Sequence, residues 1–165
     1  LSAGSSSPRS GRLGRLLGSP GAFLRRTPAE RAALLRTLPV LARVEAGLRT
    51  STVPRVAGRL GVTLGTDPSG APRVAPVAFT ARESVDVDAA RRLVRRWPAE
   101  ARCLRRSLLI GHALRARRPV LRIGVAKHDG DVHAHAWIEI DGAAIEGVEA
   151  GVDFKPLRRA RPDPA

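Results

Sequence analysis

A chain of 165 residues and 17.6 kDa is long enough to bury one domain's core, and its formal charge of +14 with a pI near 11.8 directs attention to acidic partners or nucleic acid. Yet every basic residue except Lys127 and Lys155 is an arginine, scattered among Ala, Gly, Leu and Pro in the manner of GC-rich coding and not of a nucleic-acid groove. No uncharged apolar run of about 18 residues is present to span a membrane; a single cysteine excludes an internal disulfide, in keeping with a reducing cytosol, and no Cys/His cluster has zinc-finger spacing.

Residues 1–20 are rich in Gly, Ser, Pro and Arg, lack the apolar stretch of a secretory signal, and read as a disordered tail. Thr27-Pro28-Ala29-Glu30 then reads as a helix start: Thr as N-cap, Pro at the first helical position, Glu30 closing a capping box. Leu34, Leu35, Leu38, Leu41 and Leu48 recur at helical spacing, so an amphipathic helix to about Arg49 is expected, kinked or split at Pro39. A short helical piece from Pro54 to Leu60 ends at Gly61, and Gly65 to Pro76 reads as a linker. Residues 21–76 thus form a helical N-terminal region, either a cover for an apolar face or a docking platform for another protein.

A second helix is expected from Asp86 or Asp88 to Trp97, with Ala90, Leu93, Val94 and Trp97 on its apolar face and Pro98 as its stop. Cys103 to about Arg115 is a third, apolar on more than one side through Leu104, Leu108, Leu109 and Ile110, and therefore central. Val120 to Ala126 is a strand, Asp129-Gly130 a turn, Val132 to Ile140 a second strand, and Asp141-Gly142 a two-residue hairpin returning as Ala143 to Glu146. Phe154 to Leu157 offers an edge strand, and 158–165 a loose tail. Helices followed by an antiparallel meander make an α+β fold, with residues 77–157 as its core.

The chemistry concentrates between Arg102 and Glu146. The chain has no Asn, Gln or Tyr, so a catalytic apparatus must come from Cys, His, Ser, Thr, Trp and carboxylates. Cys103 opens its helix against unpaired amide N–H groups and the positive end of the helix dipole, with Arg102, Arg105 and Arg106 nearby. That is a setting for a nucleophile, and equally a place for a small buried hydrophobe. Alternation puts His133, His135, Trp137 and Glu139 on one face of the second strand. Two His and a Trp on one face are an unusual way to make a core, although a surface or pH-sensing role also accommodates them.

Counting back from the Asp141-Gly142 turn pairs Ile140 with Ala143 and Trp137 with Glu146, which makes Glu146 the diagonal neighbour of His135. Glu139 lies four residues along the same strand, roughly 13 Å away. Cys, His and a carboxylate in this order make a nucleophile, its base and the group that orients the base. His133 and Trp137, with Trp97, are candidate pocket residues, and His112 and His128 read as structural or solvent-exposed.

Cys103-Leu104-Arg105-Arg106-Ser107-Leu108, Leu121-Arg122-Ile123-Gly124-Val125 and His135-Ala136-Trp137-Ile138-Glu139-Ile140-Asp141-Gly142 resemble the standalone leader peptidase of lasso-peptide biosynthesis, in the transglutaminase-like branch of the papain-type cysteine peptidases. The resemblance is specific from about Asp88 to Leu157 and looser over Leu24 to Leu60. It implies a papain/transglutaminase-like core, a Cys-bearing helix packed on an antiparallel sheet, behind an N-terminal helical extension. It further implies a cytosolic protease without cofactor or metal that cuts the leader from a lasso precursor peptide. A leader-binding recognition protein and an ATP-dependent lasso cyclase are its implied partners. Cys103 is then the nucleophile and His135 the base. The family's Asp about a dozen residues after the His is absent here, and Glu146 is the substitute. Two other readings stand beside it. His133-x-His135-x-x-x-Glu139 is also a ligand spacing for iron, manganese or zinc, and the chain could be a non-catalytic binding subunit of the same maturation complex.

Overall fold

The computed structural model describes residues 20–65, 73–98, 101–128, 131–145 and 155–156. The expected tails, the Asp129-Gly130 turn and Glu146 lie outside them. In chain order the elements are helices α1 (Pro20–Leu24), α2 (Pro28–Thr50) and α3 (Val53–Arg59), short strands β1 (Thr63–Leu64) and β2 (Arg73–Val74), then helices α4 (Ala81–Arg95) and α5 (Arg102–Ala113). A 3₁₀ turn at Arg115–Arg117 leads into β3 (Val120–His128), β4 (Asp131–Ile140), β5 (Ala143–Ala144) and β6 (Lys155–Pro156).

Local chemistry sets the helix starts. The Thr27 hydroxyl accepts from the Glu30 N–H while the Glu30 carboxylate accepts from the Thr27 N–H, the capping box read from the sequence. Thr80 and Glu83 repeat it at the head of α4. That second box corrects the expected start at Asp86 or Asp88: two orphan amides satisfied at Thr80 let the helix begin at Ala81. At its other end α4 stops at Arg95, so Trp97 lies beyond it, half-buried against the helical core.

Pro39 does not split α2. Its missing N–H would have served the Leu35 carbonyl, and both residues are exposed, so water can take that acceptor. The same exposure corrects Leu35 as a core position, at 54% accessible, while Leu34 and Leu41 are buried.

The Thr80 N–H holds the Glu83 carboxyl below its usual range, aided by the Thr80 hydroxyl and the Arg117 guanidinium and opposed by burial. A carboxyl lowered on folding stabilises the fold above its unfolded value, about 4.3, and loses that contribution as pH falls through the folded value. Thermal melts followed by circular dichroism are therefore expected to drop on acidification below about pH 4. Glu83→Gln, which cannot take up the proton, is expected to show a flatter acid limb.

The sheet runs β1-β3-β4-β5-β2, with β6 also on the outer side of β3, making six strands among the described residues. The meander β3-β4-β5 is antiparallel as expected, whereas β1 on β3 and β2 on β5 are parallel. The sheet is therefore mixed, and the linker read over Gly65 to Pro76 contributes β2. Asp141 and Gly142 both have positive φ, the conformation of a type I′ hairpin, and Ile140 pairs with Ala143 as the turn predicts.

One core cluster joins the helices to one face of the sheet, with Leu34, Leu41, Leu93, Leu108, Ile110, Leu121 and Ile138 all buried. The helices of the N-terminal region thus act as a cover for this core. α5 is central, as its all-round apolar character requires. At Gly111 a Cβ would stand 2.7 Å from Val62 Cγ2 and 3.0 Å from Ile138 Cδ1, so α5 approaches β4 at a distance only glycine permits.

Candidate active site

The face of β4 away from the helices changes from solvent to interior along its length. His133 is exposed, His135 half-buried, and Trp137 and Glu139 are buried at 2% and 4%. Trp137 belongs to a small cluster with Ala126 and Ala144 that is separate from the main core, as the pairing register demands. Its indole stacks on the His135 imidazole with centroids 6.3 Å apart and planes 12° from parallel. Gly124 sits directly across from His135, so no cross-strand side chain contests the space beside the ring.

Glu139 fixes that arrangement from below. Its Oε1 accepts from Trp137 Nε1 at 2.9 Å and its Oε2 from Arg122 Nε at 2.9 Å. Sequence reasoning gave Glu139 no role beyond a possible metal ligand and did not find Arg122. The signal was available in the register, since Arg122 pairs across from Trp137 on this face. Both Glu139 oxygens are engaged by protein donors, which corrects the metal-ligand reading. Among the described residues no three His, Cys, Asp or Glu side chains converge as a ligand set.

Cys103 lies in the first turn of α5, half-buried and packed against the helix side of the core. Two helices begin with capping boxes, but α5 begins at Ala101 with no side-chain cap, and Ala101 takes a left-handed conformation at φ 50 and ψ 48. A non-glycine residue there costs about 1–2 kcal/mol, so the surrounding fold must hold it. Of the arginines expected to surround the thiol, Arg105 is committed elsewhere: its Nε and Nη2 engage both oxygens of buried Glu45 on α2. That pairing corrects Arg105 as a source of positive charge for the sulfur. His112 Nδ1 lies 3.0 Å from the Leu60 carbonyl, a structural tie as expected.

α5 is tied to β4 at one edge of the strand. The Ile138 carbonyl accepts from the Ile145 N–H, so it points to the β5 edge. The Ala136 carbonyl points the same way two residues earlier, and it is taken by Ser107 Oγ at 2.9 Å. Ser107 is buried and sits four residues after Cys103, about 6 Å along the axis. This bond ties the middle of α5 to the residue that follows His135. Ser107→Ala leaves the buried carbonyl unsatisfied and is expected to cost about 1–3 kcal/mol, read as a lowered midpoint in urea unfolding.

Glu146, the expected third member, lies outside the described residues. The register that selected it holds as far as Ile145.

Residues 40–159, more than half the chain, match the transglutaminase-like superfamily. Among curated proteins and solved structures there is no significant match.

Proposed function

Since the chain belongs to the transglutaminase-like superfamily, which includes cysteine peptidases, we propose that it is a cysteine peptidase that removes the leader from a lasso precursor peptide. The observation that supports this reading is the Ser107–Ala136 bond, which ties the middle of the Cys103 helix to the residue that follows His135. The lasso assignment rests on the sequence resemblance from Asp88 to Leu157. In this proposal the protein works in the cytosol with a leader-binding recognition protein and an ATP-dependent cyclase.

In the reaction His135 takes the thiol proton and the Cys103 sulfur bonds to the carbonyl carbon at the leader–core junction. The resulting oxyanion is held by first-turn amide N–H groups of α5, Cys103's own among them. As the C–N bond breaks, His135 delivers its proton to the amine, and the core leaves with a free N-terminus. Water, losing a proton to His135, then attacks the thioester, releasing the leader carboxylate and restoring the thiol. General-base help of this kind is worth about 10²–10⁴-fold. The Trp137 stack fixes the imidazole plane, and Glu146 orients the ring.

The test is to incubate the full chain with a candidate precursor and recognition protein and to read product masses. Two fragments summing to the precursor plus one water are expected. Uncut precursor, bound by the chain, would favour the non-catalytic subunit instead.

A further inference from the structure

A cleft of about 570 Å³ opens between the C-terminal half of α4 and the start of α5, lined by Asp88, Arg91, Arg92, Arg95, Arg102 and Arg106 with Val94. Its size falls within the range of ligand sites, about 300–1,000 Å³. Among the described residues, five arginines and one carboxylate line it. Asp88 pairs with Arg91 at 2.9 Å, and Arg92 only approaches Glu30, at 3.9 Å. Arg95 and Arg102 are exposed and pair with no carboxylate among the described residues. Gathering like charges in a concave wall is unfavourable to the fold and focuses a positive field on whatever enters.

From this cleft we infer that the enzyme binds its peptide substrate through acidic side chains, held by the forks of Arg95 and Arg102. The inference rests on the peptidase reading for what the ligand is, and on the cleft alone for where it binds. Arg102 opens α5 and immediately precedes Cys103, so the cleft and the thiol share the first turn of that helix. Guanidinium groups grip carboxylates through paired N–H donors, with a specificity lysine lacks. Asp88 interrupts the wall, so the cleft offers discrete forks and not the continuous basic strip that tracks a phosphate backbone.

The experiment measures fluorescence anisotropy of a labelled hexaglutamate against the full chain, with hexaglutamine as its neutral control. Binding is expected for hexaglutamate alone, weakening between about 0.05 M and about 0.5 M salt. Arg95→Gln with Arg102→Gln should weaken it about fivefold or more. Arg55→Gln with Arg59→Gln, the same charge change on exposed positions of α3, should leave it within about twofold. Equal loss in both pairs would reduce the effect to net charge and overturn the inference. So would a hexathymidylate that binds more tightly than hexaglutamate and loses its binding with Arg95 and Arg102, which would mark a nucleic-acid groove. Should the Gln pair not fold, Arg95→Lys alone, which keeps the charge and loses the fork, must still weaken hexaglutamate, and no change would sink the idea. Site and reaction fail separately. Cleavage that needs Cys103 but ignores the Arg95 and Arg102 exchanges removes the cleft. Hexaglutamate binding that needs those arginines survives even if Cys103→Ala still cleaves.

Discussion

Cys103→Ala is expected to lower precursor cleavage by a factor on the order of 10⁴–10⁶, with the melting temperature nearly unchanged. The loss is that large because the sulfur forms the covalent intermediate, and neither the first-turn amides nor the imidazole can replace it. Stability is expected to hold because Cys103 is half-buried and contributes a small side chain at the margin of the core. His135→Ala should cost a comparable factor, and the double variant little more than either alone, since nucleophile and base act as a unit. Cleavage that survives in both single variants would leave the chain a binding subunit, with Cys103 a packing residue. Product mass against time in each variant settles the matter.

Glu139→Ala is expected to have the largest effect on stability. Arg122 and Glu139 have side chains only 11% and 5% accessible, so removing the carboxylate takes a charged partner from a buried guanidinium and an acceptor from the Trp137 indole N–H. Breaking a buried pair from one side costs about 3–5 kcal/mol. In a domain of this size that lowers the melting temperature by roughly 6–20 °C. Replacing both partners, as Arg122→Met with Glu139→Leu, removes the buried charge along with its counterion and should recover most of the loss. The same double variant separates support from chemistry. If it folds well but cleaves slowly, the missing element is the tie that holds Trp137 against His135. A double variant that is both stable and fully active would show that the imidazole needs no such brace.

Both predictions concern residues that differ in how far the sequence alone reveals them. Cys103 and His135 stand out as candidates because a cysteine at a helix start and a His-x-His-x-Trp alternation are local patterns. Glu139 is legible as a member of the face but not as its brace, because that role depends on Arg122, seventeen positions away. Ser107 carries no local signal at all. Its hydroxyl matters because a carbonyl twenty-nine residues later faces an edge where α5 comes close.

What the sequence determined by itself is whatever neighbours along the chain can enforce. Thr27 with Glu30 starts α2, and Asp141-Gly142, both at positive φ, fixes the β4–β5 register; Thr80 with Glu83 starts α4 by the same local chemistry, although the start expected from the sequence is Asp86 or Asp88. The alternation from Val132 to Ile140 follows because successive strand residues point to opposite faces. Tertiary structure alone decided the rest. The two-residue strands β1 and β2 are too short for any period to show, and they exist through parallel pairing with β3 and β5. Arg105 looks from the sequence like a charge for the thiol, yet Glu45, sixty residues away, claims it. The arginine cleft likewise forms only where α4 and α5 converge. The division follows from range: capping and turn geometry act over three or four residues, whereas ion pairs and cavities depend on which distant segments the packed core brings together.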